Sequence, residues 1–194
     1  IIPSRYKNTR EAYSEIWTKN GSPLINDTRL LGEKVNSKSN TPVEVSMRYQ
    51  FPSIEEGLIN LKKKGCSEIF VVPLYPHYAM STVLTTEKEV IRIENELELD
   101  LKLNFIKAFY NEQEYISSLS NVISNNRQTE SDFLLFSYHG IPNRHLLKTD
   151  PTQSHCLKVE NCCDMESKAK PFCYKAQVIE TSRLCAKKLD LKED

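Results

Sequence analysis

The side chain best placed for proton or metal chemistry is the histidine of Phe136-Ser137-Tyr138-His139-Gly140-Ile141-Pro142. The apolar run Phe133–Phe136 leads into it, and Gly140 and Pro142 stop the run. Short, bounded apolar runs read as strands buried in a parallel sheet. His139 is then expected at the carboxyl end of a strand, where open α/β sheets bind their ligands. A neutral imidazole there is a base near neutral pH and a ligand for a transition metal. The plainer reading is a histidine hydrogen-bonded at a strand end. The segment alone gives the two equal weight.

A second group of residues stands in Pro73-Leu74-Tyr75-Pro76-His77-Tyr78-Ala79-Met80-Ser81-Thr82. Two prolines within it stiffen the loop, which presents Tyr75, His77, Tyr78, Met80 and Ser81 after another apolar run. Such a wall suits a flat aromatic ligand, because rings stack and bury large areas. Alone, the loop reads more readily as tyrosines packed on their own domain. Third, residues 150–174 hold four of the six cysteines: Cys156, Cys162, Cys163 and Cys173. This stretch is polar and has neither helical nor strand periodicity. A loop that long inside a compact domain calls for a functional reason. Four cysteines can close a tetrahedral zinc site. Disulfides are disfavoured in a reducing compartment. Cys66 and Cys185 read as small buried hydrophobes, and His155 as a support for the cysteine loop.

The elements that must position these groups alternate along the chain. A helix capped by Thr9 carries Ala12, Tyr13, Ile16 and Trp17 on one face. Gly21-Ser22-Pro23 reads as turn, cap and first helical residue of a helix to about Val35. Pro42–Tyr49 alternates as a strand. Ser53-Ile54-Glu55-Glu56 is a capping box for a helix ending at Gly65. Glu68–Leu74 is a strand, Ser81 or Thr82 opens a helix to about Leu97, and Leu101–Ile106 is a strand. A helix over 113–125 precedes the His139 segment, and a last one spans 171–189. This βαβα rhythm predicts an α/β protein with parallel sheets flanked by helices.

Composition narrows the class. Charged residues make up 27%, and Lys+Arg and Asp+Glu both total 26, so the net charge is zero. With no basic stripe, nucleic-acid binding has no electrostatic support. No apolar stretch approaches the roughly 18 residues of a spanning helix. The opening Ile1-Ile2-Pro3 shows no signal-peptide pattern, so the chain reads as an excised piece of a cytoplasmic protein.

Taken together, the motifs resemble those of the ferrochelatases. Phe136–Pro142 is similar to the signature around that family's catalytic histidine. Leu74-Tyr75-Pro76-His77-Tyr78 with Ser81-Thr82 resembles its "PLYPQYS-ST" loop, with His77 where glutamine is more usual. Glu11-Ala12-Tyr13 through Ile16-Trp17 and Gly21-Ser22-Pro23-Leu24 resemble "AY-IW--GSPL". Met47-Arg48-Tyr49 resembles "AMRYG", with Gln50 replacing the glycine. The matches run in order over nearly the whole chain.

The resemblance implies a Rossmann-like, chelatase-type fold. Residues 1–112 would form most of a first domain and 113–194 the beginning of a second, truncated one, including the cysteine-rich insert 150–174. It implies insertion of ferrous iron into a porphyrin, protoporphyrin or coproporphyrin, with His139 either taking up pyrrole protons or binding the incoming metal. Tyr75, His77, Tyr78, Met80 and Ser81 would contribute to the porphyrin cleft. His155-Cys156-Leu157, Asn161-Cys162-Cys163 and Phe172-Cys173-Tyr174 with Ala176-Gln177 resemble an insert of some bacterial members. Its cysteines are associated with a [2Fe-2S] cluster, and four thiolates suffice for one; zinc remains the rival. The family's catalytic glutamate and first glycine-containing loop have no counterpart here, so the piece alone is expected to be inactive and to expose apolar surface. Competing readings are a metal- or redox-sensing module without chelatase activity and a related cobalt chelatase. Oligomeric state and peripheral membrane contact are left open.

Overall fold

A computed structural model describes residues 2–127 and 134–191, with side chains from residue 9 onward. Local signals translate most directly. Ser53 caps α3 (Ile54–Lys63): its hydroxyl accepts the Glu56 N–H at 3.1 Å, and the Glu56 carboxylate accepts the Ser53 N–H at 2.9 Å. Gly65, just past the helix, takes φ +84°, a left-handed value glycine adopts without a steric cost. Pro23 opens α2 (Pro23–Lys38) after Ser22, whose side chain makes no capping bond. The first helix, α1 (Ile2–Ile16), starts well before Thr9, which therefore sits inside it rather than at its cap.

Strands β1 (Glu68–Val71) and β2 (Lys102–Phe105) pair as a two-stranded sheet. The Lys102 N–H bonds Ser67 O at 2.9 Å, and the Ile106 N–H bonds Val71 O at 3.0 Å. The sequence offset is the same at both bonds, which makes the pair parallel. Between them a π-helical turn, Met80–Leu84, runs into α4 (Thr85–Glu96). After β2 come α5 (Gln113–Asn126), the short α6 (Asn143–Thr149), a 3₁₀ turn at Lys170–Phe172 and α7 (Tyr174–Lys188). The architecture is α/β with a small parallel sheet, as the alternating pattern predicts.

Two expected strands are not formed among the described residues. Pro42–Tyr49 makes one isolated parallel bridge, Met47 to Ser53. It lies against helices instead. A Cβ on Gly32 would come within 2.3 Å of Val45 Cγ2, and one on Gly57 within 2.2 Å of Ser46 Oγ. The second is the run into His139. Leu134–Gly140 has no regular structure, and Leu134 and Leu135 are 37% and 89% exposed; Asp132 and Phe133 lie outside the described residues. A strand needs neighbours for its backbone donors and acceptors, and the described sheet, β1 with β2, does not extend beside this segment. Gln50, where the resembling motif has glycine, takes φ +65°.

The chain divides into two compact units: residues 1–69 with 89–104, and 70–88 with 105–194. In the first, Ile54, Leu58, Ile93 and Leu101 are among the buried residues; in the second, α5 packs on α7, with Ile116 and Cys185 buried. Among the described residues, no helix is long and apolar enough to cross a membrane.

Candidate active site and cysteine segment

The histidine, the aromatic loop and the four clustered cysteines belong to the second unit, and α7 organises them. Gln177 and Thr181, one turn apart on α7, are fully buried. Thr181 donates its one hydroxyl proton to Tyr110 O at 2.7 Å. It must therefore accept from His77 Nε2, 3.0 Å away. His77 thus carries its proton on Nε2, and burial pushes its pKa below the ordinary histidine value. Its ring stands edge-on to Tyr138 and Tyr174, with centroids 5.6 and 5.9 Å apart. Ser182 donates to Val178 O at 3.0 Å, so it accepts from the Tyr138 hydroxyl at 2.9 Å. Burial raises the Tyr138 pKa, against which the Ser182 bond works in part.

His77 and Tyr138 therefore bring the Tyr75–Ser81 loop and the His139 segment together. Tyr75, Tyr78 and Met80 are half-buried, while Ser81 is exposed within the π-helical turn. His139 follows Tyr138 and is exposed. Pro142 then caps α6, accepting the His145 N–H at 2.8 Å. Gly140 needs a separate explanation. Its φ is not positive, and an added Cβ would meet no atom within 4 Å. The local backbone does not require glycine there, whereas a ligand approaching the backbone closely would.

The cysteine segment is ordered by a carboxylate that the sequence did not single out. Asp150 is 2% exposed. It accepts the N–H groups of Thr152, His155 and Cys156 at 2.8, 2.9 and 2.9 Å, and the Thr152 hydroxyl at 2.7 Å. Burial works to raise its pKa, but the Thr152 hydroxyl and these backbone donors outweigh it and hold the carboxyl well below the usual range. His155 Nε2 donates to Cys162 O at 2.8 Å, pinning the far side of the loop.

Cys156 and Cys173 are buried in a small core with Leu146, Ala169 and Ala176, against which Cys163 packs. Cys156 is pushed up to about 12 by burial, then by Cys173, which hydrogen-bonds it, and by Asp150 and Cys162. Cys163 is likewise pushed up to about 12 by burial, Cys173 and Cys162. Cys162 and Cys173 are the neighbours that both of these thiols share. Among the described residues, no group of three or more His, Cys, Asp or Glu is arranged to hold a metal ion. Cys185 is fully buried and Cys66 half-buried, both outside this cluster.

Sequence reasoning missed Asp150 and Thr181, and gave Gln177 no role beyond its place in the insert motif. Isolated polar residues carry no local signal, and Gln177 and Thr181 each have one partner about a hundred positions away.

Comparison with known proteins follows the same lines. The family model for ferrochelatase matches residues 1–194. The chain is 39% identical to the ferrochelatase of Pseudomonas fluorescens (strain Pf0-1), covering 100% of this chain and 57% of that protein. It is 40% identical to that of Stutzerimonas stutzeri (strain A1501), over 100% and 58%, and 39% identical to that of Opitutus terrae, over 100% and 57%. The chain thus spans a little over half the length of the curated relatives it matches, and it belongs to the ferrochelatase family.

Proposed function

We propose that the protein of which this chain is part inserts ferrous iron, its substrate, into a porphyrin, with His139 as the catalytic residue. What carries the reading is an exposed imidazole, followed by a glycine the backbone does not demand, in a chain of this family. Two pyrrole N–H protons must leave as the dication enters, so charge balances. His139 can accept a proton or bind the metal on its way in. Tyr75, His77, Tyr78, Met80 and Ser81 form a wall of the porphyrin cleft. His77 serves it from within, through its contacts to Tyr138 and Thr181. Residues 1–112 make up most of a first Rossmann-like domain and 113–194 the beginning of a second, in a cytoplasmic enzyme.

Cys156, Cys162, Cys163 and Cys173 would supply the four thiolates of an iron–sulfur centre, supported by a small core that holds Cys156 and Cys173 with Cys163 against it. Such a centre would supply a redox-active or structural anchor, and its binding would require the thiols to lose their protons. The same donors fit zinc.

Porphyrin metallation by the whole protein, followed through zinc-porphyrin fluorescence, tests the activity. Time-dependent product is expected, and its absence would reject the reading. The 194-residue chain alone should give little or none; equal rates would show that the residues here suffice. For the cysteines, equimolar iron and inorganic sulfide, lost in Cys162→Ser/Cys163→Ser, supports the cluster. Stoichiometric zinc without sulfide supports the rival.

A further inference from the structure

We infer that Gln177 is a positioning residue, tying the Tyr78 loop to the end of the cysteine segment so that order in that segment sets the position of the porphyrin-facing wall. The inference rests on the function proposed above and deepens it. Gln177 is fully buried on α7. Its Oε1 accepts the Tyr78 N–H at 2.7 Å. Its Nε2 donates to Pro171 O at 2.9 Å and Lys170 O at 3.2 Å. Tyr78 N–H can only donate and the two carbonyls can only accept, so this amide orientation alone satisfies all three partners. No other side chain of similar size offers one acceptor and two donors in that arrangement. An amide buried merely to fill space would be a costly choice, since an apolar side chain packs without needing partners.

What the three bonds join gives the residue its role. Lys170–Phe172 is the turn that leads directly into Cys173, and Cys173 caps α7, its carbonyl accepting the Gln177 N–H at 3.1 Å. Cys173 in turn shares the buried core with Cys156. On the other side, the Tyr78 ring meets Phe172 edge-on at 5.5 Å. One turn further along α7, Thr181 holds His77 of the same loop. A displacement of the Lys170–Cys173 turn therefore pulls on the Tyr78 backbone through Gln177 and on its ring through Phe172. A side chain bonded at both ends, once at Oε1 and twice at Nε2, transmits such a shift as a change in order of the loop.

The test uses the whole protein and needs no turnover for its main readout. Amide hydrogen exchange over residues 75–80 is compared in wild type and in Gln177→Met, which keeps length and burial but removes all three bonds. Exchange at Tyr78 should quicken about tenfold in the variant, as expected for loss of one buried hydrogen bond. Alkylating Cys162 and Cys163 of metal-free protein with iodoacetamide should quicken it in wild type and add nothing in Gln177→Met. The porphyrin KM should rise several-fold in the variant with kcat within about twofold, because the wall is loosened while His139 stays in place. Unchanged exchange in Gln177→Met, or equal acceleration by alkylation in both proteins, overturns the inference. Should the variant fail to fold, the wild-type alkylation arm decides, and no change at Tyr78 overturns it. Coupled exchange in a protein that inserts no metal would count against the proposed function alone. Metal insertion without coupling would count against this inference alone.

Discussion

The loop at 75–82 reaches α7 through two fully buried side chains, Gln177 and Thr181, while the segment at 134–140 meets that helix at Tyr138, whose hydroxyl bonds Ser182. Each stretch follows or contains an apolar run and carries one histidine. In the first, His77 is turned inward, protonated on Nε2 and packed between two tyrosines. In the second, His139 is exposed and Leu135 is almost bare. The difference shows what each kind of anchorage needs. A loop held by side-chain hydrogen bonds to one helix is complete once that helix is present. A strand-like run depends on backbone partners from neighbouring strands and on a face to bury against. The cysteine segment behaves like the first region, since Asp150 collects its turn from within.

Removing that internal anchor should have the largest effect on stability. Asp150→Ala leaves the N–H groups of Thr152, His155 and Cys156 without their acceptor. A loss of about 3 kcal/mol is expected, read as a lower thermal midpoint and rapid proteolysis within 150–173. A variant as resistant as wild type would mean that the cysteine core alone holds the segment.

The tie at His77 should show itself in the pH dependence of stability. The folded pKa is lowered by burial, so the unfolded chain binds a proton first as the pH falls. Stability contributed by the neutral ring is complete above the unfolded value near 6.5 and declines below it, down through the folded pKa. His77→Gln keeps a donor for Thr181 and does not titrate. Its melting should lack the decline that wild type shows between about pH 7 and 5. Parallel pH profiles for the two proteins would place the titrating group elsewhere.

The smallest effect belongs to the other region. In the 194-residue chain Leu135→Lys should change stability by less than about 0.5 kcal/mol, because the side chain is 89% exposed. A cost of several kcal/mol would show that the segment is buried in solution and that the contrast between the regions is false.

Much of the helix and strand framework could be read from residue types. The Ser53–Glu56 capping box, Pro23 at a helix start and the two paired strands depend on near neighbours, and they form where the pattern puts them. The strand expected at 42–49 did not form, because Gly32 and Gly57 let the chain lie on helices, and nothing local marks a glycine as a contact surface. The strand into His139 depended on sheet neighbours. The histidine, the aromatic loop and the cysteines were recognisable from type and spacing. Their supports were not, since Asp150 acts by burial inside its own turn and Gln177 and Thr181 by burial and distant partners. Nor did spacing reveal that the four cysteines meet, or that burial raises the Cys156 and Cys163 thiols.

The central claim is that the exposed imidazole after Tyr138 performs the chemistry while the α7-held loop supports it. The direct measurement is the rate of zinc insertion into porphyrin by whole protein carrying His139→Ala, with its thermal midpoint recorded alongside. The account predicts a rate at least about a hundredfold below wild type with an unchanged midpoint, because His139 is exposed and holds nothing in place. Near-normal turnover by that variant would contradict it.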